Sequence, residues 1–303
     1  MYPACNGVFC FKGEIMNGNL KLAVQKSGRL TEKSLQLLRT CGLDIENYSN
    51  RLIVSARNFE LDLLFLRDDD IPEYVQDGVA DIGIVGEDVV LEKEADVEII
   101  KRLSYGKCRL MLAGPEDRNI PELDQINGKR VATSYPKILS NFFRNNKIDA
   151  KIIQISGSVE IAPSLGIADY ICDIVSTGNT LKLNKLKKFI TVFDSEAVLI
   201  GTKNIASDPE KYLKLKNLIL RIESALNAKK SKYLMMNIPK SALQEIREIL
   251  PALKSPTILP LADESMLAVH AVIPSEMFWE IQEKLHLAGA SGLLLIPIEN
   301  MIL

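Results

Sequence analysis

The stretch "KRVATSYPKILSNFFRNNKIDAKIIQIS", residues 129–156, decides the fold class of this chain. Its first segment, "KRVATS", reads as a strand, "PKILSNFFRNN" has the apolar spacing of an amphipathic helix, and "AKIIQIS" reads as a second strand. Two strands joined by a helix predict a parallel pair with the helix packed on one face of the sheet. We therefore expect an α/β fold.

The same alternation of strands and helices extends in both directions from this stretch. Apolar strand patterns recur at "LKLAVQ" (20–25), "DIGIVG" (81–86) and "YICDIV" (170–175), and helical patterns such as "SVEIAPSLGIA" (158–168) lie between strands. The alternation continues for about 180 residues, which exceeds one typical domain, so we expect two α/β lobes around a cleft. Lobe I is predicted to comprise residues 20–111 and 195–228, and lobe II residues 112–194.

Residues 229–303 follow a different order of elements. The predicted order is strand "KYLMMN", helix "KSALQEIREIL", strands "PTILPL" and "LAVHAVI", helix "SEMFWEIQEKLHLAG" and strand "GLLLIPI". This βαββαβ order is the ferredoxin-like plan, which is also that of ACT-like regulatory domains. The pattern leaves two interpretations open, a regulatory domain that binds a small effector and a dimerisation module without a ligand.

The N-terminal residues and the overall charge exclude several classes of protein. Residues 1–19 are expected to form a loose extension, since Lys12 and Glu14 interrupt an apolar patch too short for a good signal peptide. No apolar run approaches the roughly 18 residues of a membrane span, so no membrane partner is expected. The net charge of −2 over 303 residues gives no basic surplus, and nucleic acid is not expected as a partner.

Cysteine and histidine usage narrows the compartment and the chemistry. The five cysteines are scattered without a Cys-x-x-Cys motif, which indicates a reducing cytoplasm. Only two histidines are present, His270 and His286, so a zinc site built from histidines or a Ser-His-Asp triad in the main body is not expected. Chemistry would therefore depend on Arg, Lys, Asp, Glu, Tyr and bound metal.

One strand-to-helix turn has the composition of a phosphate site. It follows strand 170–175, and its hydroxyls and free backbone N–H groups lie where a helix N-terminus carries partial positive charge. The turn contains no lysine, which favours the single terminal phosphate of a sugar phosphate, with Asp173 on the ribose hydroxyls. An N-cap cluster without a ligand is the alternative. The turn residues are Ser176, Thr177, Gly178, Asn179 and Thr180.

Seven motifs in order resemble the long form of the ATP phosphoribosyltransferases, from about residue 20 to 303. The resemblance implies a two-lobed catalytic region like that of periplasmic binding proteins, followed by an ACT-like domain. It implies transfer of phosphoribose from 5-phosphoribosyl 1-pyrophosphate to N1 of ATP with Mg²⁺, the first step of histidine biosynthesis. The motifs are "AVQKSGRL" (23–30), "LRDDDIP" (66–72), "GVADIGIVGED" (78–88), "VATSYP" (131–136), "GSVEIAP" (157–163), "CDIVSTGNTL" (172–181) and "SPTILPLAD" (255–263).

The resemblance also assigns residues to the two substrates. Arg29 and Arg51, with Lys26, are expected against the pyrophosphate, because guanidinium groups bind it in a bidentate manner. The alternative for each of these cations is a solvated surface position. Glu160 and Asp173 are expected to hold the ribose hydroxyls or the Mg²⁺ bound to them, and the turn 176–180 the 5-phosphate. The residues expected near ATP are Arg67, Asp70, Gly83, Gly86 and Tyr135.

The C-terminal motifs imply feedback inhibition by histidine and a hexamer that exchanges with an active dimer. The expected histidine-binding residues are Thr257, Ser291 and Gly292. An inhibitor that binds far from the cleft must act by favouring one arrangement of subunits or lobes. A second class of function stays open, since a non-catalytic small-molecule-binding or sensor protein can have the same two-lobed plan.

Overall fold

The computed structural model describes residues 18–46, 51–117, 122–175 and 178–303. By its contacts the chain divides into two compact units. The first unit extends to Leu35 and resumes from Asp44 to Lys214, and the second comprises Gln36–Leu43 and Leu215–Leu303. Most of the expected N-terminal extension lies outside the described residues, and the domain boundaries drawn from the sequence stay predictions.

The elements of the first unit alternate as the sequence pattern predicts. Along the chain they are β1 (Leu20–Gln25), α1 (Arg29–Thr40), β2 (Ile53–Ser55), β3 (Leu61–Leu66), α2 (Ile71–Gln76), β4 (Ile82–Gly86), α3 (Glu87–Lys93), β5 (Glu98–Arg102), β6 (Cys108–Pro115), β7 (Arg130–Thr133), α4 (Pro136–Asn146), β8 (Lys151–Gln154), β9 (Tyr170–Val175), α5 (Asn179–Leu183), β10 (Leu186–Ser195), β11 (Ala197–Gly201) and α6 (Pro209–Lys229). Helices α1 and α6 each include residues of both units.

Sheet I has the strand order β2-β3-β1-β4-β11-β5. Strand β1 lies parallel to β3 and to β4, so the carboxyl ends of these three strands meet at one edge of the sheet. Strands β1, β3 and β4 are almost wholly buried, which matches their continuous apolar runs. This edge is where α/β proteins commonly bind ligands.

Sheet II has the strand order β10-β6-β9-β7-β8. The parallel pair predicted from residues 129–156 is confirmed, with Arg130 opposite Lys151 in β7 and β8. Helix α4 covers this pair and buries Ile138, Leu139 and Phe143 in the core on that face. Both sheets are mixed rather than purely parallel, because β6 and β11 enter after the chain crosses between sheets and pair antiparallel with their neighbours.

One predicted helix is largely absent. Residues 158–168 contain only a short 3-10 turn, Val159–Ile161, where the sequence pattern indicates a longer helix. Pro163 restricts the residue before it, and Gly166 adopts a left-handed φ of 68° that ends regular structure. The prediction of a helix there was therefore wrong.

Two chain segments cross between the sheets, residues 103–107 and residue 196. Gly106 in the first crossing has a φ of 67°, and a Cβ there would lie 3.0 Å from Cδ1 of Leu30. Nearby, the hydroxyls of Tyr105 and Ser34 are 2.8 Å apart. The beginning of α1 is thus packed directly against the crossing.

The second unit contains a ferredoxin-like domain. It comprises β12 (Ser231–Pro239), α7 (Leu243–Ile249), β13 (Thr257–Pro260), β14 (Met266–Pro274), α8 (Phe278–Leu287) and β15 (Ser291–Pro297). The sheet order is β13-β14-β12-β15 and all its pairings are antiparallel. Leu234, Ile238, Val269, Ile246 and Leu285 join strands and helices in one core.

The expected fold class is confirmed by these elements: an α/β region of two sheets followed by a βαββαβ domain. Among the described residues, none of the helices is both long and apolar enough to cross a bilayer.

Candidate functional site

The expected phosphate turn lies at the carboxyl end of β9. Ser176 and Thr177 fall outside the described residues, so their predicted role is untouched by the geometry. Gly178 has a φ of 79°, a conformation that glycine adopts without steric cost. Asn179 and Thr180 follow as the first, exposed residues of α5. The described part of the turn is open to solvent, as a phosphate site requires.

Asp173 lies on β9 of sheet II, and Glu160 lies in the 3-10 turn Val159–Ile161, which packs against β9. Asp173 is half-buried on β9, and its Oδ1 accepts a hydrogen bond from the N–H of Ile174 at 2.8 Å. Burial raises the pKa of Asp173, and the negative charge of Glu160 raises it further. Carboxylates whose ionised form is destabilised by burial and by a neighbouring negative charge are common in functional sites. The two acids that the resemblance assigned to the ribose are therefore within electrostatic reach of each other.

Asp173 and Glu160 are candidates to hold a magnesium ion carried by a substrate. Mg²⁺ is commonly bound by one or two carboxylates together with substrate phosphates. Among the described residues there is no group of three or more Asp, Glu, His or Cys side chains that could hold a metal alone. Asp173 and Glu160 could thus complete the coordination of an ion that arrives on a phosphorylated substrate.

The predicted cations lie at the carboxyl edge of sheet I. Lys26 follows β1, where its N–H donates to the carbonyl of Leu66 at 2.7 Å, and Arg29 begins α1. Arg67 follows β3 at the same edge, and all three side chains are exposed. Arg51 lies just before the edge strand β2, and its Nη1 is 3.3 Å from Oε2 of Glu46. Among the residues that the structure describes, Arg51 is therefore the one predicted cation of the four that is engaged in an ion pair.

The residues expected near ATP divide into two groups. Asp70 and Gly86 lie at the carboxyl edge, where Asp70 ends a 3-10 turn before α2 and Gly86 is the last residue of β4, directly before α3. Gly83 lies inside β4, and a Cβ there would be 2.7 Å from Cγ2 of Ile71 and 3.1 Å from Cγ2 of Val75. Close packing of α2 on the sheet accounts for this glycine, whereas its predicted contact with ATP stays untested.

Gly83→Ala is expected to lower the free energy of unfolding by about 1–3 kcal/mol, because the added methyl group overpacks the contact with α2. Chemical denaturation checks this. Gly178→Ala is the contrast, since among the described residues a Cβ at Gly178 meets only Cγ1 of Val175, at 3.8 Å, and the expected cost comes from its left-handed φ. A Gly83→Ala protein with unchanged stability and weakened ATP binding would instead support the nucleotide role.

A buried polar cluster joins the two sheets, and it was not predicted from the sequence. Asp88, in the first turn of α3, is buried, and the hydroxyl of Ser195 donates to its Oδ1 at 2.5 Å. The N–H of Asp88 donates back to Oγ of Ser195 at 3.1 Å. Burial raises the pKa of Asp88, and burial together with the Asp88 charge raises that of Cys108 to about 11. The place of Asp88, just after a buried strand, was the available signal.

Tyr135 lies between the sheets beside this cluster. Its pKa is raised by burial first, then by the charges of Asp88 and Asp173. A cavity of about 470 Å³, which we call the cleft cavity, lies beside both sheets. Ser134 and Tyr135, which follow β7 of sheet II, line it together with Asp68 and Asp69, which follow β3, and Asp88, which follows β4 of sheet I. The structure therefore places Tyr135 in a cleft, with more acidic than basic side chains around it.

Asp88→Asn is expected to flatten the dependence of stability on pH. The raised pKa means that the native state binds the proton more tightly than the unfolded state, so stability falls as pH rises from roughly 4 through the native pKa. Asparagine can still accept the Ser195 hydrogen bond but has no proton to lose. Denaturation curves from pH 4 to 8 measure this, with the exposed Asp77→Asn as control. Parallel curves for wild type and Asp88→Asn would contradict the assignment.

The predicted histidine-binding residues are not brought together within one chain. Thr257 begins β13 at one edge of the ferredoxin-like sheet, whereas Ser291 and Gly292 lie in β15 at the opposite edge. Oγ of Ser291 is 3.5 Å from the carbonyl oxygen of Asn237, and Gly292 has a φ of 59°. A site using both edges would require two copies of the domain.

Together, fold and site define a two-lobed α/β protein with an appended ferredoxin-like domain. The family model described as "ATP phosphoribosyltransferase" matches residues 67–224, and "HisG, C-terminal domain" matches residues 228–300. The chain belongs to the ATP phosphoribosyltransferase family, as the resemblance of its motifs predicted.

Relatives support this assignment over nearly the whole chain. An ATP phosphoribosyltransferase of Bacteroides thetaiotaomicron is 50% identical over 283 residues, covering 93% of this chain and 99% of the relative. That of Cytophaga hutchinsonii is 47% identical, covering 95% of this chain and 100% of the relative. A chain of the ATP phosphoribosyl transferase (HisG:HisZ) complex from Thermotoga maritima is 35% identical, with a TM-score of 0.57, covering 67% of this chain and 98% of its own length.

Proposed function

We propose that this protein catalyses attack of adenine N1 of ATP on C1 of 5-phosphoribosyl 1-pyrophosphate, the first step of histidine biosynthesis. The bond from N1 to C1 forms, and the bond from C1 to the pyrophosphate oxygen breaks. The observation that carries the proposal is the pair Asp173 and Glu160 next to the turn after β9. Family membership supports the assignment of this pair to the ribose.

Catalysis of this reaction requires mainly that the substrates are positioned and that developing charge is stabilised. Adenine N1 has a free lone pair at neutral pH, so no strong general base is required and the scarcity of histidine is no obstacle. C1 becomes oxocarbenium-like, and the Asp173 and Glu160 carboxylates stabilise that positive charge while they hold the ribose hydroxyls. Arg29 and Lys26 neutralise the charge that builds on the departing pyrophosphate. We assign to Tyr135, which lines the cleft cavity, a contact with the nucleotide.

Mg²⁺ is the metal we propose, held by Asp173 and Glu160 through the substrate. When bound, it would neutralise part of the pyrophosphate charge. The carboxylates themselves orient the ribose.

The direct test is to incubate the purified full chain with ATP, 5-phosphoribosyl 1-pyrophosphate and Mg²⁺. An ultraviolet absorbance change from N1-substituted adenine, with pyrophosphate released in equal amount, is the expected result. Reactions lacking either substrate serve as controls. Absence of product with every divalent cation tried would reject the transferase.

The alternative, a small-molecule-binding or sensor protein without catalysis, is separated by thermal shift. Ligands that bind the native state raise its melting temperature. Stabilisation by 5-phosphoribosyl 1-pyrophosphate and ATP favours the enzyme, whereas a response only to some other solute favours the sensor. The described thiols, Cys41, Cys108 and Cys172, are all free, which supports our placing the protein in a reducing cytoplasm.

We further propose that histidine inhibits the enzyme through the ferredoxin-like domain. Thr257 of one copy and Ser291 with Gly292 of another would meet if two sheets pair edge to edge, so the inhibitor site would be shared between subunits. A hexamer that exchanges with an active dimer would then respond to histidine. Sedimentation velocity with and without histidine tests this, and an unchanged distribution together with unchanged activity would oppose it.

A further inference from the structure

A second cavity lies where the chain crosses between the sheets, and we call it the hinge cavity. Its volume is about 600 Å³. Small-molecule sites in proteins measure about 300–1,000 Å³, so the space suits a ligand. The charged side chains that line it are Arg102, Lys107, Arg109, Lys188, Asp194 and Glu196.

The charges of the hinge cavity do not balance. Arg102 hydrogen-bonds to the buried carboxylate of Glu87 through both terminal nitrogens, and its Nη1 is 4.0 Å from Oε1 of Glu196. Nε of Arg109 is 2.9 Å from Oδ1 of Asp194.

Lys107 and Lys188 form no ion pair with any residue that the structure describes, and both are exposed. Arg109 thus offsets Asp194, whereas the charge of Arg102 is shared between the buried Glu87 and the lining Glu196. With Lys107 and Lys188, four cations face three carboxylates, which leaves a surplus of one positive charge.

The position of the hinge cavity links it to the ribose site. Val175 lines the cavity and is the last residue before the expected phosphate turn. Because side chains alternate along a strand, Val175 and Asp173 lie on the same face of β9. On the other side, Gly106, next to Lys107, packs against Leu30, the neighbour of Arg29. The cavity therefore adjoins the end of β9 and the crossing on which the beginning of α1 packs.

We propose that the hinge cavity binds the polyphosphate of a substrate, and that Lys107 and Lys188 are further binding residues for the transfer reaction. This rests on the proposed function, and it names cations that neither the sequence nor the resemblance assigned. The cleft cavity offers no equivalent site, because Asp68, Asp69, Asp88 and Glu92 line it with a single cation, Lys93. Linear phosphates would be repelled there and attracted to the hinge cavity.

The experiment is a calorimetric titration of the full chain with inorganic pyrophosphate in the presence of Mg²⁺. The double variant Lys107→Ala/Lys188→Ala is expected to weaken the Kd for pyrophosphate about tenfold or more, because two charge-assisted contacts are lost. The matched control is Lys187→Ala, which removes an exposed lysine of the same strand that does not line the cavity. Both lysines are exposed, so melting temperatures should be unchanged. Equal Kd values in wild type and double variant, or no pyrophosphate binding by wild type, would overturn the proposal.

Steady-state kinetics identify which substrate supplies the polyphosphate. A rise confined to the KM for 5-phosphoribosyl 1-pyrophosphate assigns the cavity to its pyrophosphate, and a rise confined to the KM for ATP assigns it to the triphosphate. Either result supports polyphosphate binding, whereas unchanged values of both oppose it. Should no transfer occur with wild type although pyrophosphate binds and the double variant weakens it, the proposed function fails and the hinge cavity stands.

Discussion

Asp173→Asn is expected to lower kcat/KM by about 100-fold or more, while the free energy of unfolding at pH 7 stays unchanged or rises slightly. The loss of activity follows from the ribose contact, because asparagine has no negative charge to stabilise the oxocarbenium-like carbon. The stability follows from the raised pKa, since the ionised native state carries a burial cost that the unfolded state does not. Activity and stability should therefore move independently.

Asp169→Asn provides a control with the opposite signature. Asp169 precedes β9, and its carboxylate accepts from the backbone N–H of Arg130 at 3.0 Å and from the guanidinium of Arg130 at 3.2 Å. These bonds lower the pKa of Asp169, so its removal should cost stability, by less than about 1 kcal/mol because the pair is partly exposed. Kinetics and denaturation of both variants decide the matter. Equal loss of activity in the two variants would refute the role of Asp173.

Arg29→Ala is expected to reduce kcat/KM by about 100-fold, with a change of less than 0.5 kcal/mol in stability, roughly that of a surface substitution. Arg29 is exposed at the first position of α1, next to Leu30, which packs on the crossing at Gly106. A guanidinium there can bind the departing pyrophosphate, and its charge matters most when the leaving group carries most charge. The effect should thus fall mainly on kcat rather than on the KM for ATP.

Two variants calibrate that result. Lys33→Ala removes an exposed cation one turn further along α1, and it should leave kcat nearly unchanged if distance from the cleft decides the effect. Arg51→Ala should cost less than about tenfold, since Arg51 already neutralises Glu46 and must exchange that partner for the substrate. Steady-state kinetics of the three variants test the order. Should Arg51→Ala prove the most damaging, the pyrophosphate would lie nearer to β2 than we propose.

Local sequence patterns predicted most of the fold. The segment β7–α4–β8 could be predicted because each of its elements shows its own periodicity within a few residues. The helix over residues 158–168 was predicted wrongly because the apolar spacing there is helical. Pro163 and the left-handed Gly166 end the regular structure after one short turn. Mixed strand direction could not be predicted either, since it follows from where the chain crosses between sheets.

The site was predictable only in part. Asp173 and the turn after β9 stand out because a strand, small hydroxyl residues and a helix follow one another directly. Asp88 and Ser195 are 107 positions apart in the chain, and only the folded sheets bring the carboxylate and hydroxyl together. Lys107 lies in the crossing before β6 and Lys188 lies in β10, so no local motif marks their shared cavity.

The opposite edges of the ferredoxin-like sheet have a consequence for control of the pathway. Suppose that an inhibitor must contact Thr257 of one molecule and Ser291 of another. The degree of inhibition would then depend on the concentration of the protein as well as on that of histidine. Inhibition would weaken at low enzyme concentration, where the shared site does not form, and it would strengthen at high enzyme concentration. Sensitivity to histidine would then rise with the concentration of the enzyme in the cell.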